Sequence, residues 1–235
     1  MTLQEVMKEL ESMGDANTKK TLMRHGAREP FFGVKVADLK KILKKTKKNH
    51  QLSLELFETG NSDAMYLAGL MADEKQIGKK ELNNWVKKAY WSYLSEYAVP
   101  WVAAETDYGF ELGMEWIDSK EENIKAAGWA TLASFASYQP DEKIDVDAYS
   151  KLLERVQATI HEGDNREKYA MNGFIIATAS YIPSLTEKAK RVADSIGTVM
   201  VDMNGTACKV PLAKTYIKKV EDKGKIGNKK KTARC

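Results

Sequence analysis

The segment AYWSYLSEYAVPW, residues 89–101, places five aromatic rings and one carboxylate, Glu96, within thirteen positions. Rings at that density either fill a core or build a wall on which a nucleobase can stack. On a helix, Tyr90, Tyr93 and Tyr97 share a stripe at i, i+3, i+7, and Trp91 and Ser95 share the neighbouring stripe four residues apart. Leu94, Ala98 and Trp101 can turn to the core. Three tyrosine hydroxyls and Glu96 would all need buried partners if the whole segment were interior, so one face is expected at a surface.

The second chemistry-bearing group is basic. KVADLKKILKKTKK (35–48), which contains Lys40 and Lys44, holds seven lysines against one aspartate, and Lys209–Cys235 holds ten Lys/Arg against Glu221 and Asp222. The whole 235-residue chain carries +4, so a C-terminal +8 leaves about −4 on the other 208 residues. Two basic zones on a slightly acidic body suit a polyanion, nucleic acid first. A solvated lysine face and a solubilising tail give the same counts. Lys229, Lys230 and Lys231 are expected to neutralise phosphate rather than read bases. Arg166 and Lys168, at a helix start capped by Asp164 or Asn165, are placed to touch phosphate.

Other chemistries lack their residues. The chain has no GxGxxG, Walker loop, HExxH or GxSxG. Two cysteines (Cys208, Cys235) and three scattered histidines (His25, His50, His161) make neither a disulfide framework nor a metal site, and no cofactor is expected. There is no run of eighteen apolar residues. The opening MTLQEVMKELESMGD is acidic and amphipathic, unlike a signal peptide, so a cytoplasmic protein is expected.

The elements that must position these groups read as helical almost throughout, and the expected class is all-α in a single domain over 1–235. After helices in the first 46 residues, periodicity predicts helices near 52–57, 62–73, 79–89, 92–105, 107–117, 121–137, 146–161, 166–181 and 185–195. They fall in pairs at a spacing of about 35–40 residues, which is the spacing of a HEAT-like α-α superhelix. AAGWATLASFASY and YAMNGFIIATASYI are apolar nearly all round, as helices sandwiched in a stack must be. Trp85, Trp101, Trp116 and Trp129 sit at helical core positions, with Trp129 nearest the cleft. One region differs: TVMVDMNGTACKVP (198–211) alternates β-formers around Asn204-Gly205 and predicts a small C-terminal β-hairpin. Residues 224–235 predict a basic, flexible tail.

Four of these segments, in order, resemble the AlkC/AlkD-type DNA alkylation repair family, HEAT-like all-α bacterial proteins that include alkylpurine DNA glycosylases. They are MRHGAREPFFGVKVADLKKILK (23–44), AYWSYLSEYAVP, NIKAAGWATLASF (123–135) and NREKYAMNGFIIATASY (165–181). The resemblance implies double-stranded DNA, alkylated or structurally distorted, as partner, and a monomer without metal or cofactor. In active members two tryptophans and a carboxylate hold a cationic alkylpurine nucleoside, and a basic residue assists. Alkylation makes the purine a good leaving group, and a carboxylate near C1′ stabilises the oxocarbenium ion.

Carried onto this chain, Trp91 is the first tryptophan, Lys125 stands for the arginine and Phe174 for the second tryptophan. The carboxylate position is Ser95 counting forward from Trp91, or Glu96 counting back from Val99-Pro100 with one inserted residue. The resemblance extends to a branch with an inserted β-hairpin, expected to favour unusual DNA structures over excision. Three functions stay open: an alkylpurine glycosylase-like repair protein, a non-catalytic binder of branched or distorted DNA, and a HEAT-like protein-protein scaffold.

Overall fold

A computed structural model describes residues 1–234. Thirteen α-helices are present among them: α1 Leu3–Ser12, α2 Ala16–Arg24, α3 Val36–Thr46, α4 His50–Glu58, α5 Ser62–Met71, α6 Lys79–Lys88, α7 Val99–Glu105, α8 Gly109–Trp116, α9 Glu122–Tyr138, α10 Val146–Thr159, α11 Asn165–Tyr181, α12 Thr186–Ile196 and α13 Ala213–Asp222. Side-chain caps set several starts. Thr2 and Glu5 form a capping box on α1, Asn61 accepts from the N–H groups of Asp63 and Ala64 on α5, and Asp164 caps α11 with Glu167.

An inner row runs α3, α5, α7, α9, α11, α13, each helix packed on the next. The apolar helices α5, α9 and α11 lie inside it, which is why they lack a polar face. The repeat period is visible in the polar bonds between successive pairs. Trp116 Nε1 donates to Asn83 (2.7 Å), Asn123 to the Ala89 carbonyl (3.1 Å), Gln139 to the Ala104 carbonyl (2.8 Å) and Arg155 to Asp118 (2.7 Å), over separations of 33, 34, 35 and 37 residues. Such a constant offset follows when one supersecondary unit stacks on its neighbour. The pair α8/α9 is held closest at Gly113 and Gly128: a Cβ on Gly128 would lie 2.5 Å from the Ile117 nitrogen.

Two expectations are corrected. First, 198–211 is not a β-hairpin. Asn204 (φ 54°) and Gly205 (φ 65°) do make the expected tight turn, closed by Thr206 N–H to the Met203 carbonyl at 3.1 Å, but no strand forms among the described residues. The flanks bond instead to the helical body: the Asp202 N–H donates to Asn165 Oδ1 (2.7 Å), and the Asn165 amide donates back to the Asp202 carbonyl (2.9 Å). A ladder needs both flanks free to pair, and the Asp202 groups of the first flank and the Pro211 carbonyl at the end of the second are bonded to α11 instead.

Second, the basic tail is docked over its described residues, Cys235 lying outside them. It crosses the C-terminal ends of four inner helices in turn. Gly227 N–H donates to the Ser180 carbonyl of α11, Lys230 N–H to the Ser137 carbonyl of α9, and Ala233 N–H to Glu105 of α7, each at 2.8 Å. Arg234 ends the run with Nη1 on the Leu70 and Ala72 carbonyls (3.1 and 2.6 Å) and Nη2 on Glu74 and Glu105 (3.2 and 2.9 Å). The helix C-termini offer unpaired carbonyls and negative dipole ends, and a cationic tail satisfies both.

Candidate nucleic-acid interface

The aromatic segment is not a plain helix. Residues Tyr93–Ala98 form a single π-helical turn, with Val99 N–H bonded to the Leu94 carbonyl five residues back. A π-turn is a helix carrying one extra residue. Pro100, which has no N–H to give, follows in the first turn of α7, where none is needed. The extra residue turns Ser95 and Glu96 to different surroundings. Ser95 is buried with its Oγ on the Trp91 carbonyl (3.2 Å), and Glu96 is the residue that reaches a cavity.

Glu96 is not free there. Arg166 donates Nε to one of its oxygens and Nη2 to the other, both at 2.6 Å. Burial pushes the Glu96 carboxyl up from its ordinary range, and Arg166 opposes that shift. Desolvation also works against the Arg166 charge, but Glu96 outweighs it and the guanidinium pKa is raised. Arg166 further stacks over Tyr169, 4.4 Å from the ring centroid, and Tyr97 and Tyr169 share a hydrogen bond. Burial holds the Tyr97 hydroxyl above its ordinary range, so it is neutral at physiological pH.

The other residues singled out in sequence go elsewhere. Trp91 lines the edge of a cleft but is itself buried, its Nε1 donating to Ser62 Oγ (2.9 Å) and its ring stacked on Tyr93 at 4.9 Å. Tyr90 borders the same cleft, its hydroxyl bonded to both the N–H and the carbonyl of Arg28. Lys125 is paired with Asp164 and Glu167 in a separate depression on the side of α9 and α11. Phe174 is core, T-stacked on Trp129 at 5.2 Å and parallel to Tyr149 at 5.6 Å. Trp129 is core as well, not a cleft residue. Lys40 and Lys44 on α3 and Lys168 on α11 stand outside the cleft that Trp91 and Tyr90 border. Lys229 is committed to the Ala136 carbonyl (2.8 Å) and Asp141 (3.1 Å), while Lys231 stands exposed by the tail.

What the fold does bring together is a cleft of about 540 Å³. One lip is α2, with Thr21 and Leu22, and its C-cap His25; the other is the 198–211 loop, with Met203, Asn204, Cys208 and Lys209; Tyr93, Tyr97, Arg166 and Tyr169 lie between. Lys209 and the Glu96-paired Arg166 are its cationic lining, and no carboxylate lines it among the described residues. Such a site can hold phosphate and stack bases. It offers no free carboxylate to stabilise a glycosyl cation.

Residues 6–190 match the family model of the DNA alkylation repair enzymes. The chain belongs to the DNA alkylation repair enzyme family. It is 32% identical over 229 residues to the uncharacterized protein Lin0241 of Listeria innocua, covering 95% of this chain and 99% of that one. It is 32% identical over 231 residues to the uncharacterized protein Lmo0209 of Listeria monocytogenes, covering 96% and 100%. A solved structure is similar over 100% of both chains, with a TM-score of 0.91 at 36% identity; it is described as a new family of proteins related to the HEAT-like repeat DNA glycosylases with affinity for branched DNA structures. The expected HEAT-like, all-helical fold is therefore that of this DNA alkylation repair family member, without the hairpin. No helix among the described residues is long and apolar enough to cross a membrane.

Sequence reasoning missed one ring of the family member's cleft and a carboxylate that fixes a turn beside it. Tyr169 lies three residues after Arg166 on α11, a cation–π spacing that could have marked it. Asp63, on α5, gathers the N–H groups of Phe32, Gly33 and Val34 (2.6, 2.9 and 3.1 Å), fixing the turn that follows the α2 lip.

Proposed function

We propose that this protein binds branched or distorted double-stranded DNA through the cleft between α2 and the 198–211 loop, and does not excise alkylated bases. One observation carries the second half: Glu96, the only carboxylate available at the aromatic segment, has both oxygens held by Arg166. A glycosylase of this type needs its carboxylate unneutralised, facing the developing positive charge at C1′. Here the nearest strong charge is a guanidinium, and the second ring position, Phe174, is core. The first half rests on the aromatic and cationic lining of the cleft and on likeness to a family with affinity for branched DNA. The reading places the protein in the cytoplasm as a monomer, with no metal or cofactor.

The test compares a four-way junction with a linear duplex of the same sequence in a salt series. Junction preference with log affinity falling linearly in log salt supports the reading. Equal, salt-independent or absent binding contradicts it and leaves a protein-protein scaffold. Release of 3- or 7-methylpurine above background, lost in Glu96→Gln, restores the glycosylase reading.

A further inference from the structure

A second cavity, of about 280 Å³, opens beside the cleft and shares Tyr97 and Tyr169 with it. Its floor is made of small residues from two parallel inner helices, Ala130 and Ala133 on α9 with Gly173 and Ala177 on α11. Its walls are rings: Tyr97, Trp101, Tyr169 and Tyr181. The Glu96–Arg166 pair marks the end towards the start of α11, and Lys230 of the docked tail marks the other.

Three features set this slot apart from a packing defect. A Cβ built on Gly173 meets no atom within 4 Å, so the glycine leaves open space where α8 and α9 use theirs for close contact. Lys230 lies 5.8 Å from the centroid of Tyr181, and no carboxylate pairs with it among the described residues. The surrounding rings desolvate its amine in part and lower it below the ordinary lysine range, while the residue as a whole stays exposed. Finally, the slot adjoins the proposed DNA cleft, the two sharing Tyr97 and Tyr169.

Resting on the DNA-binding reading, we infer that this slot takes one unpaired nucleotide of a distorted DNA, its base between the rings and its phosphate on Lys230. Every base has a π-face, so a wall of tyrosine and tryptophan accepts any of them without hydrogen-bond readout. Extrusion costs least for a base that is already unpaired, so the slot rewards bulges and branch points over intact duplex. That is a structural preference obtained without sequence preference.

The experiment places 2-aminopurine at a single-nucleotide bulge and compares the bulged DNA with the fully paired duplex by equilibrium binding. The slot requires that wild type change the 2-aminopurine emission on binding and prefer the bulge. Gly173→Leu fills the slot from a position with room for it, and a leucine is a better helix former than glycine, so its unfolding midpoint should not fall. It should lose the emission change and reduce bulge affinity by roughly 5- to 100-fold, the stacking of one base, while retaining duplex affinity. Lys230→Gln should weaken the bulge preference and lower its salt dependence. Bulge preference and emission unchanged in Gly173→Leu would overturn the slot and leave the DNA-binding reading standing. If wild type binds neither DNA, the DNA-binding reading fails and the slot with it.

Discussion

Arg166 grips both oxygens of Glu96 at 2.6 Å, joining the π-turn to the first turn of α11 across 70 residues of sequence. The pair is mostly desolvated, so removing one member strands the other. Glu96→Leu and Arg166→Met should each destabilise by about 3–5 kcal/mol, and the double variant should recover much of that loss. Urea midpoints of the three variants measure the coupling. Additive losses would show that the pair does not join the two elements.

The docked tail makes a second prediction. Arg234→Ala leaves Glu74 and Glu105 facing each other without their shared cation and should cost about 3 kcal/mol or more. Burial raises the pKa of Glu74, but Lys48 and Arg234 outweigh it, and the net shift is downward. A lowered acid stabilises in full above its unfolded value and loses that contribution as pH falls through the folded one. Protection of the Lys230 and Ala233 amides against hydrogen exchange should therefore hold at neutral pH and decline below the ordinary glutamate value of 4.5. A pH-independent tail in wild type would contradict this account of the clasp.

Turn geometry in the loop gives a local effect. Gly205 has φ +65°, where a β-branched residue is strained, so Gly205→Val should open the loop by about 1–2 kcal/mol. Limited proteolysis within 198–211 should speed up, while the helical body keeps its unfolding midpoint.

Cation placement separates the cleft from the lysine-rich α3. Lys209→Gln should reduce the slope of log affinity against log salt by about 1 on junction DNA. Lys40→Gln should leave it unchanged, because α3 lines none of the cleft. The opposite ranking would move the interface to α3.

Helix pairing and period were legible because burying one stripe per helix writes a 3.6-residue pattern into the chain, as in α4, α10 and α12. The π-turn was legible only as two competing registers. A one-residue widening leaves no composition signal, so Ser95 and Glu96 read alike in sequence although one bonds the Trp91 carbonyl and the other Arg166. Asn204-Gly205 announced its turn correctly, yet the hairpin failed because Asn165, 37 residues away, takes the flank's backbone groups. The tail misled for a related reason: its lysine content reads as solvation, whereas the carbonyls it satisfies belong to helix ends far off in sequence. Phe174 and Trp129 look the same in sequence whether they face a cleft or a core, and only packing assigned them to the core.

The most direct single measurement uses protein in excess over a four-way junction carrying 3- and 7-methylpurines, with binding and base release read on the same samples. The account requires saturable, salt-sensitive binding with methylpurine release no faster than from DNA alone. Release above that background, abolished by Glu96→Gln with binding intact, would contradict it and show that Glu96 leaves Arg166 to act on the sugar.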